Sequence, residues 1–217
     1  MKKTILFILV FAQFFSCKQS ITPTPETVDL ETVHSERKYE YVDSLGARII
    51  IENSVPRGVK YTDPQEKEYA RLLFWTQITN ETENPLECKI DFPAYAYEVP
   101  SLPGRYFKIL VPHDTMTFEK VALPDYGMKH IKSFIDTHIE SPSSLKRTIN
   151  PKESSGFYVV ILFDIEVPGP TRTALFMKGQ NLFYKVTRYS GKQGVSFVDE
   201  KEINCGRIHL KNLATEK

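Results

Sequence analysis

Leu86-Glu87-Cys88-Lys89-Ile90-Asp91-Phe92 alternates apolar and charged residues without an error. A strand repeats every two residues, so Leu86, Cys88, Ile90 and Phe92 share one face and Glu87, Lys89 and Asp91 the other. One dry face and one wet face is the pattern of an antiparallel sheet over a core. Two neighbouring stretches read differently. Glu68 to Thr79 carries Leu72, Leu73, Phe74, Trp75 and Ile78, and Phe157 to Ile165 is a continuous apolar run. Apolar character on both faces marks a central strand covered on both sides. Further strands are expected from Arg37, where Tyr39 and Tyr41 alternate with charged residues, and over Arg48–Val55, Arg105–Val111, Thr115–Val121, Val195–Val198 and Ile203–Leu210. Thr171–Met177 and Leu182–Thr187 flank Gly179-Gln180, the signature of a tight hairpin. Pro56–Gln65, Asn80–Pro85, Pro100–Gly104 and Ser141–Gly156 read as connections because they hold the turn-forming residues.

One segment changes period. Met128, Ile131, Phe134, Ile135 and Ile139 fall at helical spacing after Pro124-Asp125, which predicts a helix over about 125–140. Many short strands with polar turns and a single helix give a mainly β chain, an immunoglobulin-like β-sandwich with one inserted α-helix. The sandwich domain is expected over residues 37–217. A split into two small β-domains at Ser141–Gly156 is the alternative.

The beginning of the chain concerns address. Lys2 and Lys3 precede the apolar run Ile5–Phe15, which is shorter than the roughly 20 residues a membrane-spanning helix needs. A charged start and a short apolar run make residues 1–16 a secretory signal peptide. Ser16-Cys17, a small residue directly before a cysteine, resembles the lipobox of bacterial lipoprotein precursors, although Phe14 and Phe15 depart from its usual residues. The resemblance covers the targeting segment only. It implies cleavage before Cys17, a diacylglycerol on its sulfur and an acylated (palmitate-type) amine. Stable anchoring takes more than one acyl chain, which a triacylated Cys17 supplies. Lys18 is not the Asp that retains such proteins in the inner membrane. Lys18-Gln19-Ser20 lacks the acidic residues that signal export in some lineages. The resemblance therefore implies the bacterial outer membrane, facing the periplasm. Residues 17–36, with Ile21-Thr-Pro-Thr-Pro25, read as a disordered tether that spans up to about 60 Å at about 3.1 Å per residue.

Charge and motifs narrow the function. The chain has 28 basic and 27 acidic residues, and loss of Lys2 and Lys3 with the signal leaves it near neutral. A nucleic-acid partner calls for a basic excess or stripe, and the sequence displays neither. There is no G-x-S-x-G, H-E-x-x-H, G-x-x-x-x-G-K-[ST] or G-x-G-x-x-G motif, so no catalytic residue, cofactor or metal is assigned. His130 and His138, eight residues apart on the expected helix, sit about 12 Å apart and cannot share a metal. His34, His113 and His209 read as solvated or structural.

Tyr95, Tyr97, Tyr106 and Phe107, with Arg105 among them, flank the Pro100–Gly104 loop and can grip a sugar ring or a partner peptide. The competing reading sends alternate members into the core, since aromatics are common in strands. Asp43-Ser44-Leu45 and Asp114-Thr115-Met116 match a short bacterial O-glycosylation motif, which makes Ser44 and Thr115 candidate acceptors at expected turns. With Cys17 acylated, Cys88 and Cys205 remain. Either they form a disulfide after export or they stay as buried thiols. The bridge needs a bulge at Gly206 to turn Cys205 and Ile208 to the same face.

Three functions compete. The first is a lipid-anchored, non-enzymatic binding or assembly component of the cell envelope, in contact with an envelope protein or glycan. The second is a glycan-binding accessory lipoprotein that uses the loop aromatics. The third is a hydrolase with dispersed acidic residues.

Overall fold

A computed structural model describes residues 37–42, 46–93, 95–164, 169–190 and 196–210. The expectations for residues 1–36, including Cys17, and for Ser44 lie outside the described residues. The chain is mainly β, in two antiparallel sheets. The first contains β1 (Lys38–Val42), β2 (Arg48–Asn53), β4 (Glu68–Asn80), β10 (Ser154–Phe163), β7 (Leu102–Leu110) and β6 (Tyr97–Val99) in that spatial order. Two short strands join it, β3 (Arg57–Thr62) on β4 and β8 (Thr115–Met116) on β10. The second sheet runs β11 (Thr171–Lys178), β12 (Asn181–Ser190), β13 (Ser196–Leu210), β5 (Leu86–Phe92) and β9 (Ser143–Ile149).

Strand parity sorts the apolar residues as the patterns require. Leu86, Cys88, Ile90 and Phe92 of β5 enter one core cluster with Ile49 and Ile51 of β2, Phe74 and Ile78 of β4, and Leu182, Tyr184 and Val186 of β12. That cluster draws on both sheets. The opposite parity of β4 and β10, including Leu73, Trp75, Tyr158, Val160 and Leu162, forms a second cluster. It is closed by Tyr126, Met128, Ile135 and Ile139 from the segment between β8 and β9. β4 and β10 are therefore apolar on both faces because each face meets a different cover.

That cover differs from the expected helix of about 125–140. The α-helix, α1, spans only Ile131–His138. Pro124–Gly127 is a tight 3₁₀ segment in which Asp125 and Tyr126 have φ of 44° and 51°, and His130 has φ of 57°. Left-handed residues cannot continue a right-handed helix, so α1 begins only at Ile131: Ile131, Phe134 and Ile135 lie on it, Ile139 caps its end, and Met128 stands outside it. Fixed partners hold Asp125 and Tyr126. Arg71, buried on β4, grips the Asp125 carboxylate through both terminal nitrogens, at 3.2 and 2.8 Å. Tyr126 donates to the Val55 carbonyl (2.7 Å), and Tyr158 donates to the Tyr126 carbonyl (2.8 Å).

Two expected connections contain strands. Pro56–Gln65 holds β3, which pairs with β4 from Arg57↔Leu73 to Thr62↔Glu68. Its Pro56, Gly58 and Pro64 suit a short edge strand as well as a loop. Ser141–Gly156 holds β9, which pairs with β5 along its whole length. The inward residues of β9 include Ser143 and a half-buried Arg147, which dilute its apolar alternation. Leu145 and Ile149 on β9 enter the same core cluster as Ile49 and Ile208. The β11–β12 hairpin is as expected, with Lys178↔Asn181 closing it and Gly179 at φ 60°.

Candidate functional site

The β6–β7 hairpin divides the five residues singled out around Pro100–Gly104. Tyr97 lies opposite Phe107, and Glu98 lies opposite Tyr106. Opposed residues share a face. Tyr97 and Phe107 point inward with rings 5.6 Å apart, and Phe107 meets Phe163 at 5.2 Å. Phe107 is buried, which removes it from any binding role. Tyr95, Arg105 and Tyr106 are exposed. Arg105 and Tyr106 are successive strand residues and leave the strand on opposite faces. The five residues therefore do not share one face: Tyr97 and Phe107 pack inward, while Arg105 and Tyr106 leave their strand on opposite faces.

The turn of this hairpin is clamped from the other sheet. Arg188 on β12 and Asp199 on β13 form a buried ion pair, with Arg188 Nε donating to Asp199 Oδ1 at 2.9 Å. Ser101 donates its amide to Asp199 Oδ2 (3.1 Å), and its hydroxyl also donates to that carboxylate. Burial alone raises the Asp199 carboxyl. The hydrogen bonds from Arg188 and Ser101 outweigh it, and the net shift is below the usual carboxylate range.

Cys88 and Cys205 are free and buried, so the bridge is not formed. Cys88 opposes Ile208, three residues from Cys205. Three strand residues span about 10 Å, beyond the Cα separation a disulfide accepts. The expected face switch is present. Leu182 opposes Gly206 while Phe183 opposes Asn204, so Cys205 is the extra residue of a bulge. Ile203, Cys205 and Ile208 are consequently all buried. Gly206 has φ of 146°, and a Cβ there would lie 1.9 Å from the Lys89 carbonyl oxygen. Burial pushes the Cys88 thiol up to about 12 and raises Cys205 as well.

The outer side of this bulge is a cleft of about 480 Å³ on the wet face of the second sheet. Its arrangement follows from register. Asn181 opposes Arg207, Arg207 opposes Lys89, and Lys89 opposes Lys146. Three cations from β13, β5 and β9 thus stand in a row across neighbouring strands, and all three are exposed. Opposed like charges cost about 0.2–1 kcal/mol per pair. Glu87 and Asp91 flank Lys89 on its own strand, with Asp91 at 3.9 Å, and Glu87 opposes His209 and Thr148, which puts it diagonal to both outer cations. Arg207 is flanked by Asn204 and His209, and Lys146 by Ser144 and Thr148. Arg207 Nε donates to Asn181 Oδ1 at 3.0 Å. Sequence reading missed this row because its members are 57 and 61 residues apart, and only register aligns them. The alternation of β5 does place Lys89 outward.

Thr115 is exposed, but on β8 rather than in a turn, and its carbonyl accepts from Lys120 Nζ at 2.6 Å. His113 offers its carbonyl to Arg147 (2.6 Å), and His138 bonds the Phe134 carbonyl (2.8 Å). Among the described residues, no group of three or more His, Cys, Asp or Glu is placed to hold a metal ion, and no helix is long and apolar enough to cross a membrane. Compared with protein-family models, with curated proteins and with solved structures, the chain matches none.

Proposed function

We propose that the chain is a lipid-anchored cell-envelope protein, attached through Cys17 to a bacterial outer membrane and facing the periplasm, that serves as a non-enzymatic binding or assembly component. Its body is read as a β-sandwich of the immunoglobulin-like kind, with the segment between β8 and β9 as an insertion over one sheet. Two antiparallel sheets with a common apolar cluster support that architecture. The Ser16-Cys17 junction after a short apolar run supports the anchor. The row Arg207–Lys89–Lys146 carries the binding role. A folded chain tolerates opposed exposed like charges at a cost, and a partner of opposite charge offsets that cost.

The hydrolase reading gains nothing from this cleft. Glu87 and Asp91 stand four residues apart on one strand, about 13 Å, with Lys89 between them. Paired carboxylates of glycosidases stand about 5–9.5 Å apart. The aromatic reading fares no better, because the hairpin separates its residues.

The test is affinity capture of the full-length lipoprotein from detergent-solubilised membranes, in parallel with a Lys146→Glu/Arg207→Glu variant. Partners retained by the parent and lost by the variant are expected. Identical partner sets would remove the cleft from the function.

A further inference from the structure

We infer that the cationic row is the track of a linear acidic polysaccharide that crosses the strands of the second sheet at right angles. This rests on the binding reading above and adds the chemistry of the ligand.

Direction comes first. Neighbouring strands lie about 4.8 Å apart, so three opposed cations extend over about 10 Å perpendicular to the strands. Negative groups repeated along a chain match that line. Width comes second. Glu87 and Asp91 sit two residues to either side of Lys89, about 7 Å along β5. They repel any ligand broader than a single chain. A flat anionic membrane surface meets both carboxylates, whereas one sugar chain passes between them.

Preorganisation comes third. The Asn181 amide oxygen occupies Arg207 Nε, which fixes the guanidinium plane and leaves its two terminal nitrogens. A paired presentation of that kind suits carboxylate, sulfate or phosphate. The bulge contributes depth, because Gly206 brings no side chain to the floor and its backbone is pressed against the Lys89 carbonyl. Asn204 and His209 line the same cleft and offer hydrogen bonds to sugar hydroxyls. A single-stranded nucleic acid is also a linear polyanion. The envelope location proposed for the chain favours the polysaccharide.

The experiment titrates the full-length protein in detergent with a size-defined heparin oligosaccharide, by calorimetry at several salt concentrations. Saturable binding that weakens as salt rises is expected. Lys146→Gln with Arg207→Gln should weaken it at least tenfold and flatten the salt dependence. Lys60→Gln, an exposed lysine of the other sheet, should change it less than twofold. The urea midpoint of the double variant should match or exceed that of the parent, because an opposed charge row is relieved. Absence of binding, equal loss in Lys60→Gln, or equal affinity for a single-stranded oligonucleotide of matched charge would overturn the inference. If the row variants lose membrane partners yet heparin never binds, the binding reading stands and the polysaccharide does not.

Discussion

Asn53 on β2 bonds both backbone groups of Leu175 on β11. Its Nδ2 donates to the Leu175 carbonyl at 3.1 Å, and its Oδ1 accepts the Leu175 amide at 2.9 Å. One side-chain amide thus acts as a single rung between sheets that share no backbone ladder. Thr76, opposite Asn53 on β4, donates to the same Oδ1 at 3.0 Å, which fixes the amide orientation. Nearby, the Tyr41 hydroxyl accepts the Met177 amide at 2.6 Å. The two side chains pin β11 to the β1–β2 edge.

Asn53→Leu should therefore be costly although it adds apolar volume in a buried position. It orphans the amide and the carbonyl of Leu175, at about 1–3 kcal/mol for each buried unsatisfied group. A loss of about 2–5 kcal/mol in urea unfolding is expected. Asn53→Asp keeps an acceptor for the Leu175 amide but faces its carbonyl with a second acceptor, and should also destabilise. A change under about 1 kcal/mol for Asn53→Leu would show that the sheets do not depend on this rung.

The Arg188–Asp199–Ser101 cluster predicts a pH dependence. The Asp199 carboxyl is depressed in the folded chain, so the unfolded chain binds its proton more readily. Its stabilisation is complete above the ordinary carboxylate value near 4 and is lost as pH falls through the lower folded value. Asp199→Asn should remove that acid-limb contribution. It should also cost about 3–5 kcal/mol at neutral pH, because Arg188 is left buried without its counter-charge. Replacing Arg188 and Asp199 together by Met and Leu should cost less than either single change. Unfolding midpoints between pH 3 and 7 check all three expectations.

Strand parity was the most legible part of the sequence. The alternation of β5 fixed which residues enter the core, and the two-faced apolar runs of β4 and β10 marked the strands that carry two covers. Gly206 announced the bulge, since only a face switch reconciles buried Cys205 with buried Ile208. The left-handed residues at Asp125, Tyr126 and His130 were not legible. None is glycine, and tertiary partners such as Arg71 impose those conformations. β3 and β9 were missed because one is bracketed by Pro56, Asp63 and Pro64 and the other has a diluted apolar face. The cationic row stayed invisible for a related reason: it exists only once β13, β5 and β9 are in register, and no residue pattern within one strand encodes its neighbour.

The two free thiols should behave as core residues. Both are buried, and burial raises both above the ordinary cysteine range, so the reactive thiolate is scarce at neutral pH. Native protein should resist a thiol reagent at pH 7 for as long as it stays folded. Denatured, unreduced protein should take up label fully at both Cys88 and Cys205. Protection of the pair in the denatured state would instead reveal a bridge that requires the bulge at Gly206 to move.

Cys17 provides the decisive check on location. Ile5–Phe15 is too short to hold the chain in a bilayer as a spanning helix, so the membrane attachment proposed for the chain rests on acylation. In detergent extracts of the producing cells, mass spectrometry should find an N-terminal peptide that begins at Cys17 with a diacylglycerol and an amide-linked acyl chain. Cys17→Ala should then leave the membrane fraction or accumulate as precursor. Cys88→Ala should stay anchored, because that thiol is buried in the β5 face and plays no part in attachment. An unmodified Cys17 in the soluble fraction would detach the protein from the outer membrane. It would leave the cationic row of the second sheet to be explained without a membrane anchor.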